Sequence, residues 1–389
     1  MNFNRTFQLK SYWDKWNRKV DKVRGTDQST GWLEIDNVKC PFGGQVVVIP
    51  PKHTDKFIRE SLKKTYHRDN LALKIFYFCP HVMEMNLYMC FCGMYAQSDG
   101  ERLTAVSKIQ NYFANEVLAP RIYDLVWLAR DGIKYPAQVT EYIEGENIAD
   151  PRDDTYTENS AKITNMAHGL GIHCRDLASS NFKNGKFLDF QRFSFEPPFR
   201  ANLIERIKKG LGFGDDLTPY QSVEELNIIG KRNNFERYKI LSPVIKEDIK
   251  KLPKNFTVLD FGCNGSFFLR RAIDWGAGYG VGVDHKPVID AAREVNNYLG
   301  YFNIDYFAAL PSDKFDMVFY LSMDLHYPFE RFIKRVGKVL YLEGHAGGEH
   351  TKEKYFELMK PHFKTVTYLG ESTDFGGKKQ PRLLFRGIK

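Results

Sequence analysis

The sequence lacks the features of a membrane-spanning or secreted protein. Its 389 residues contain no run of about 18 uncharged apolar residues, and Lys74 interrupts the most apolar stretch, LALKIFYFCP. Met1 is not followed by a basic stretch, an apolar core and a small-residue cleavage site. We therefore expect a cytoplasmic protein that does not insert into a membrane.

Cysteine is also scarce, and its spacing gives no sign of a disulfide framework. Six cysteines are spread along the chain, and only Cys90 and Cys92 lie close together. A structural zinc site usually needs a second closely spaced pair of ligands, which this sequence does not supply. Reduced thiols in buried packing positions are therefore predicted.

The positive charge is not concentrated in an arginine-rich tail or a basic stripe. A net charge of +8 suggests anionic ligands such as nucleotides, phosphorylated sugars or nucleic acid. Acidic residues are mixed with the basic ones, however, as in KEDIKKLPK, which is typical of a solvated surface. Nucleic-acid binding is therefore not expected from the charge pattern, and the oligomeric state stays open.

The chain length and pattern predict two domains, at about 100–200 residues each. In the first half, strand-like segments at 43–51 and 71–78 precede a helix that begins near Ser98, and two more strand-like segments flank the turn ARDGIKYP. Farther on, NFKNGKFLDF predicts two short strands around an Asn184-Gly185 turn. An α+β domain over 1–205 is therefore expected.

The second half has a different pattern of predicted strands and helices. A helical connector with a glycine-rich piece is predicted for 206–250. From there, 251–389 alternates strand-like and helix-like segments and ends in two strands. This alternation predicts an α/β domain with a seven-stranded, mostly parallel, Rossmann-like sheet.

The first strand-to-helix turn of that domain has the pattern of a nucleoside site. In VLDFGCNGSFFLRRA, Gly262 and Gly265 permit a sharp turn after a strand, and Ser266 opens a helix whose N-terminus favours a polar ligand. Asp284 ends the next strand, YGVGVD, where a carboxylate can accept hydrogen bonds from both hydroxyls of a ribose. A nucleoside cofactor is predicted.

These motifs resemble those of class I S-adenosylmethionine-dependent methyltransferases, whose sheet ends in an antiparallel strand pair. The resemblance covers about 220–389 and implies S-adenosylmethionine as the cofactor. It implies that Asp260 and Gly262 lie near the methionine part, that Asn264 and Gly265 shape the turn, and that Asp284 holds the ribose. NAD is the alternative, but the third glycine of the dinucleotide fingerprint is missing.

Upstream, YQSVEELNIIGKRNNFERYKIL is similar to the lead-in of sugar and small-molecule methyltransferases. The resemblance implies that Tyr220, Gln221 and Arg232 cover the cofactor. A solvated helical linker is the alternative interpretation.

Candidate catalytic groups for methyl transfer follow the fourth and fifth strands. FYLSMDLHY carries neither the Asp/Asn-Pro-Pro-aromatic motif of amino methylation of DNA bases nor the Pro-Cys nucleophile of cytosine methylation. It carries Asp324 and His326, and the next strand ends with Glu343 and His345. A histidine there could deprotonate a hydroxyl, whereas an anionic phosphate oxygen would need no base. We therefore name His326, Glu343 and His345 as candidates, with a structural role as the alternative.

The first domain contains a second set of chemical groups, in GIHCRDLASSNFKNGKFLDFQ. Asp176 precedes Asn181 by five residues, and Asp189 ends the following hairpin. Phosphoryl transfer requires a carboxylate near the attacking hydroxyl and two oxygen ligands for Mg²⁺ on the nucleotide phosphates. Lys74 lies on the strand LALKI, where a lysine can hold phosphates.

These motifs resemble the protein-kinase-like fold, in particular its small-molecule and lipopolysaccharide kinase branches. The resemblance covers about 40–200. It implies that Lys74 binds ATP, Asp176 is the catalytic aspartate, and Asn181 and Asp189 bind Mg²⁺. It also implies that TEYIEG is the hinge beside adenine, and that Glu101 or Glu116 pairs with the lysine.

A kinase-like domain joined to a methyltransferase resembles the bifunctional kinase–methyltransferases that terminate O-antigen chains. The resemblance implies a small-molecule or glycan substrate. It implies phosphorylation of a saccharide or another small hydroxyl compound, and methylation of that product or of a neighbouring oxygen. Two alternatives stay open: a methyltransferase with a substrate-binding pseudokinase domain, and an RNA-directed methyltransferase.

Overall fold

The structure is a computed structural model that divides into two compact units, Met1–Arg200 and Ala201–Lys389. It describes residues 6–8, 32–35, 38–41, 45–54, 56–77, 99–130, 133–148, 150–174, 177–190, 193–195, 199–213, 216–347, 350–373 and 381–389. Each unit is described by itself.

The first unit is built on a five-stranded sheet and three helices. Its strands are β1 (Thr6–Gln8), β2 (Trp32–Ile35), β3 (Val38–Pro41), β4 (Gln45–Ile49), β5 (Leu71–Tyr77), β6 (Ile122–Arg130), β7 (Ile133–Glu141), β8 (Ile172–His173), β9 (Phe182–Lys183), β10 (Lys186–Phe187) and β11 (Ser194–Phe195). Its helices are α1 (Lys56–Tyr66), α2 (Asp99–Asn115) and α3 (Asp154–Leu170). The sheet order is β1-β6-β7-β5-β4, with β1 parallel to β6 and the other pairs antiparallel. The short strands form three separate pairs, β2 with β3, β8 with β11 and β9 with β10.

Buried polar side chains fasten helix α2 to the start of strand β6. The Asn111 side chain donates to the Ile122 carbonyl at 3.0 Å and accepts from the Ile122 amide at 2.8 Å. Gln110 donates to the Pro120 carbonyl at 2.7 Å. Because each of these bonds satisfies a buried backbone group, they fix the position of the helix on the sheet.

The β9–β10 hairpin confirms the predicted Asn184-Gly185 turn. Both residues have positive φ, 47° and 73°, as a two-residue type I′ turn requires. The predicted turn ARDGIKYP is partly wrong, because β7 already begins at Ile133 and Pro136 pairs with Trp127 inside the ladder. Strand pairing therefore includes 133–136, which the proline had indicated as part of a loop, while Asp131 and Gly132 lie outside the described residues.

The second unit is built on a seven-stranded sheet with helices between the strands. Its strands are β12 (Gly212–Phe213), β13 (Asp216–Pro219), β14 (Thr257–Phe261), β15 (Tyr279–Val283), β16 (Ile304–Phe307), β17 (Phe315–Leu321), β18 (Val336–His345), β19 (Thr365–Ser372) and β20 (Arg382–Ile388). Its helices, of which the first begins at the boundary of the unit, are α4 (Phe199–Leu211), α5 (Phe235–Ile249), α6 (Phe267–Asp274), α7 (Lys286–Leu299), α8 (Phe329–Phe332) and α9 (Lys352–Met359).

The sheet order β16-β15-β14-β17-β18-β20-β19 confirms the predicted Rossmann-like architecture. The first five strands are mutually parallel, and β20 runs antiparallel to both of its neighbours. Strands β14, β15 and β17 are apolar and almost wholly buried, as expected for parallel strands covered on both faces. This strand order fits a Rossmann-like methyltransferase fold, and the carboxyl ends of the parallel strands meet along one edge.

Among the described residues, no helix combines the length and apolar character that a membrane crossing requires.

Candidate active site

The turn between β14 and α6 is a compact loop of left-handed residues. Gly262, Asn264 and Ser266 have φ values of 78°, 43° and 64°. The amide of Gly262 donates to the Val283 carbonyl at 2.8 Å, which fastens the turn to the end of β15. A Cβ atom on Gly262 would lie 2.4 Å from the Sδ atom of Met323, so the close approach requires glycine.

Asp284 lies across this turn, at the end of β15. Its carboxylate accepts from the Asn264 amide at 2.9 Å and from the His285 amide at 2.8 Å. These two bonds use one oxygen each and fix the orientation of the carboxylate, while further lone pairs on both oxygens can accept from a ligand. The predicted ribose-binding carboxylate is therefore rigidly held beside the glycine turn.

Two polar groups at the turn fit a polar cofactor such as S-adenosylmethionine. The Oδ1 atom of Asn264 is buried, and no donor among the described residues reaches it. Asp260 is buried at the end of β14; burial raises the pKa of its carboxyl group, the Arg237 charge opposes that shift, and the result is a pKa of about 7. The Asn264 oxygen can accept a hydrogen bond from a ligand, and so can the buried Asp260 carboxylate. Both lie at the glycine turn and are therefore suited to ammonium and hydroxyl donors.

The predicted covering segment packs against the turn. Val223 has its Cγ2 atom 3.4 Å from the position of a Cβ atom on Gly265. Gln221, two residues earlier, is buried and forms a β-bridge with Arg232. Cofactor contact by Gln221 and Arg232 stays a prediction, but the segment is a folded cover and not a solvated linker.

Glu343 belongs to a fully buried ion-pair network below this cover. Its carboxylate accepts from Arg232 at 2.6 Å, from Arg237 at 3.2 Å and from Ser322 at 2.5 Å. Burial alone would raise the pKa of Glu343, but the charges of Arg232 and Arg237 and the Ser322 hydrogen bond lower it to about 2. A carboxylate held ionised by two guanidinium groups is a poor proton acceptor, so this placement favours a structural role.

His345 lies in a different cluster, centred on Asp324. The Nδ1 atom of His345 is 2.7 Å from Asp324 Oδ1, and the His345 amide donates to Asp324 Oδ2 at 3.0 Å. The Tyr355 hydroxyl also donates to Asp324 Oδ2 and is 3.3 Å from His350 Nδ1. Burial would raise the pKa of Asp324, but the hydrogen bonds from His345 and Tyr355 lower it to about 2.

The three predicted catalytic residues of this edge are thus not brought together. His326 is exposed in the turn after β17, and among the described contacts its ring joins neither cluster. Tyr355 was missed because helix α9 carries no motif. The sequence feature that could have pointed to Tyr355 is Gly344, because a Cβ atom at that position would lie 2.2 Å from the tyrosine ring.

The first unit contains a cavity of about 410 Å³ with polar and apolar walls. Its lining includes Lys74, Gln110, Asp189 and the segment Thr140–Ile143, which is part of the predicted hinge TEYIEG. The Oε1 atom of Gln110 is buried, and no donor in the described part of the chain reaches it. The lining of the cavity thus includes a cation, a carboxylate and a side-chain amide.

The β9–β10 hairpin brings two of the predicted kinase-like residues to one place. The Leu188 amide donates to the Asn181 carbonyl at 2.9 Å, which puts Asp189 next to Asn181 at the base of the hairpin. Lys74 donates from Nζ to the Leu188 carbonyl at 2.7 Å; burial lowers the pKa of Lys74, and the Asp189 charge opposes this. Asp176 lies outside the described residues.

Other predictions for this site have less structural basis. Glu116 is exposed beyond the end of α2, so it is not the predicted partner of buried Lys74. The side chain of Glu101 lies outside the described part. Among the described residues, no group of three or more His, Cys, Asp or Glu side chains could hold a metal ion, so Mg²⁺ binding by Asn181 and Asp189 stays a prediction.

Comparison with solved structures finds low similarity to methyltransferases and related proteins. The bifunctional kinase–methyltransferase WbdD is 22% identical, with a TM-score of 0.36, over 43% of this chain and 43% of that chain. YcgJ from Bacillus subtilis is 11% identical, with a TM-score of 0.32, over 39% of this chain and 98% of that one. A dimethyladenosine transferase from Plasmodium falciparum is 17% identical, with a TM-score of 0.30, over 38% of this chain and 61% of that chain.

The chain spans less than half of the length of the WbdD structures that it matches. No protein-family model and no curated protein matches it. The strand order and the turn geometry, rather than these overall scores, therefore carry the assignment of the fold.

Proposed function

We propose that the second unit binds S-adenosylmethionine and transfers its methyl group to an oxygen of a saccharide or sugar phosphate. The observation that carries this proposal is the rigid Asp284 carboxylate facing the Gly262 turn at the edge where the parallel strands end. When bound, the cofactor supplies an electrophilic methyl group on a sulfonium ion. Asp284 would hold its ribose, and Asp260 and the Asn264 side chain would accept from its polar groups.

Calorimetric binding of S-adenosylhomocysteine tests this proposal. Replacing Asp284 by alanine removes charge-assisted hydrogen bonds, so we expect affinity to fall about tenfold to a hundredfold. Asp290→Asn is a suitable control, because Asp290 has a side chain 46% exposed in surface ion pairs on α7. Tighter binding of NAD than of S-adenosylhomocysteine would contradict the proposal.

We further propose that the first unit binds Mg²⁺ and ATP and phosphorylates a hydroxyl of the same acceptor. The specific observation that favours this function is the cavity in which buried Lys74 lies near Asp189, beside the hinge segment Thr140–Ile143. Lys74 would contact phosphate oxygens, and Asn181 and Asp189 would hold the metal ion. Asp176 would orient the attacking hydroxyl.

Mass spectrometry of glycans incubated with ATP, S-adenosylmethionine, both or neither separates the alternatives. The kinase predicts a mass gain of one phosphate that requires ATP and is abolished in Asp189→Ala but not in Asp150→Ala, a change at an exposed surface ion pair. A methyl gain without ATP, unchanged by added ATP, would instead support a single-activity methyltransferase with a substrate-binding first unit. Steep salt dependence of binding to RNA would support the RNA-directed alternative.

A further inference from the structure

The ends of β17 and β18 carry an aspartate–histidine pair beside the glycine turn. Strand register aligns Leu321 with Glu343, and the Ser322 amide donates to the Glu343 carbonyl at 2.7 Å. Met323 packs on Gly262, and Asp324 follows it directly. The pair Asp324–His345 is therefore connected to the predicted cofactor turn through a single residue, Met323.

The hydrogen bonds of Asp324 determine which nitrogen of His345 can accept a proton. Asp324 Oδ2 already accepts from the His345 amide and from Tyr355, while Oδ1 faces His345 Nδ1. The low pKa of Asp324 keeps this carboxylate ionised at neutral pH, so it can only accept. A neutral His345 ring must then carry its proton on Nδ1, which leaves the lone pair on Nε2.

The pair is partly shielded from water. The Asp324 and His345 side chains are 9% and 19% exposed, so the carboxylate is nearly enclosed while the histidine side chain stays partly accessible to solvent. The other titratable groups of the cluster are Tyr355, which donates to Asp324, and His350, whose Nδ1 is 3.7 Å from Asp324 Oδ2. Such an arrangement suits a general base that a carboxylate orients and that stays partly accessible.

We propose that His345, oriented by Asp324, deprotonates the methyl acceptor, and that the acceptor atom is the oxygen of a neutral hydroxyl group rather than a phosphate oxygen. This inference rests on the proposed methyltransferase function. The hydroxyl oxygen forms a bond to the methyl carbon, the sulfur–methyl bond breaks, and its electron pair stays on the sulfur. The hydroxyl proton moves to His345 Nε2 and leaves to solvent, so the products are a methyl ether, S-adenosylhomocysteine and one proton.

A phosphate acceptor would call for a different set of side chains. A phosphate monoester carries about −1.5 to −2 charges at pH 7 and needs positive charge for binding rather than a base. At this position the chain offers an ionised aspartate and a histidine directed by it, while the cation opposite His345 in the β18–β20 ladder, Arg382, is buried. In a doubly modified saccharide, the methyl group therefore belongs on a hydroxyl near the phosphate.

Nuclear magnetic resonance of ¹⁵N-histidine-labelled full-length protein tests the role of the pair without an acceptor. We expect the neutral His345 ring of the wild type to carry its proton on Nδ1, with a free Nε2, and Asp324→Asn to abolish this preference. Asp324→Glu should restore it in part. A proton on Nε2 of the wild-type ring, or a tautomer unchanged in Asp324→Asn, would overturn the inference.

Methyl transfer to a panel of methyl glycosides and of the same sugars as phosphate monoesters tests the acceptor class. With labelled S-adenosylmethionine, we expect methyl ethers and a loss of about 10²–10⁴-fold in rate for His345→Gln, as for removal of a general base. The exposed His362 supplies the control variant His362→Gln, which should retain the rate.

The two proposals fail in different ways. A methyl group found on phosphate, or an undiminished rate in His345→Gln, overturns the hydroxyl assignment and leaves the methyltransferase standing. The methyltransferase proposal itself would be contradicted if the wild-type protein did not bind S-adenosylhomocysteine. His345→Gln should bind S-adenosylhomocysteine within about threefold of the wild type, since the ring is not needed for a bound cofactor.

Discussion

Asp260 is an acid that the fold holds near its titration point at neutral pH. Burial at the end of β14 raises the pKa of its carboxyl group from 3.8 to about 7, against the opposing charge of Arg237. The folded protein therefore binds a proton at Asp260 between these two values, where the unfolded chain does not. As pH rises through this window, the ligand-free protein loses stability, and the loss is complete once pH exceeds about 7.

Binding of S-adenosylhomocysteine should consequently strengthen as pH rises from about 5.5 to 7.5. The ammonium group of the ligand favours ionised Asp260, and one linked proton changes affinity up to about tenfold per pH unit below the pKa. Calorimetric titration across this range measures the effect. Asp260→Asn should bind weakly with a flat pH profile, while Asp290→Asn should keep the wild-type slope; a flat wild-type profile would contradict the assignment.

Gly262 and Gly276 form a matched pair for testing the turn. Both have positive φ, 78° and 106°, but a Cβ atom meets Met323 only at Gly262 and meets nothing within 4 Å at Gly276. Both alanine variants should lose about 1–3 kcal/mol in unfolding free energy from backbone strain. Only Gly262→Ala should also weaken S-adenosylhomocysteine binding, about tenfold or more, and Met323→Ala should restore part of it. Equal binding by both glycine variants would argue against a cofactor at this turn.

At the scale of elements, the covering segment is held on the sheet by buried charge. Arg232 comes from this segment, Arg237 from α5 and Glu343 from β18, and all three are almost completely buried. Removing the only carboxylate of these three residues leaves two buried guanidinium charges without their counter-ion. Buried charges without a counter-ion lower the stability of the folded protein.

Glu343→Gln should therefore destabilise the protein by about 3–5 kcal/mol. Urea denaturation followed by circular dichroism measures this change, with the exposed Glu371→Gln on β19 as a control that should stay within about 0.5 kcal/mol. Because the folded pKa of about 2 lies below the ordinary 4.5, the stabilisation is complete above about pH 4.5 and is lost as pH falls towards 2. A wild-type acid transition that is unchanged by Glu343→Gln would refute this account.

Much of the second unit could be predicted because its pattern is local. Buried parallel strands are short apolar runs, and glycine in VLDFGCNG and the acid in YGVGVD follow strand ends directly. The partners of Glu343 and His345 could not be predicted, since Arg237 and Tyr355 come from helices that fold back on the strand ends. The same limit explains the described part of ARDGIKYP, where the strand ladder includes Pro136 in spite of the local turn preference of proline.

At the scale of the whole molecule, each compact unit carries its own candidate site. Lys74 and Asp189 lie in the first unit, while Asp260 and Asp284 lie in the second. Two ligands that bind only folded protein should each raise thermal stability through their own site.

Differential scanning calorimetry of the full chain should distinguish the two sites. S-adenosylhomocysteine should raise the melting temperature of the wild type and of Asp189→Ala, but not of Asp284→Ala. A non-hydrolysable Mg²⁺–ATP analogue should show the opposite pattern. At a ligand concentration of about 100 times Kd, each stabilisation corresponds to about 2.7 kcal/mol. Loss of both responses in either single variant would contradict two separate sites.

The close contact between Gly344 and Tyr355 has a consequence for the evolutionary history of this chain. Only a residue without a side chain leaves room for the Tyr355 ring beside position 344, from which the tyrosine hydroxyl reaches Asp324. A lineage that acquires a larger residue at 344 must therefore lose or shrink the tyrosine at 355, and with it one of the donors to Asp324. Positions 344 and 355 should vary together among divergent descendants of this sequence, whereas Gly276, which is constrained by its φ of 106° and not by a neighbouring side chain, should show no such partner position.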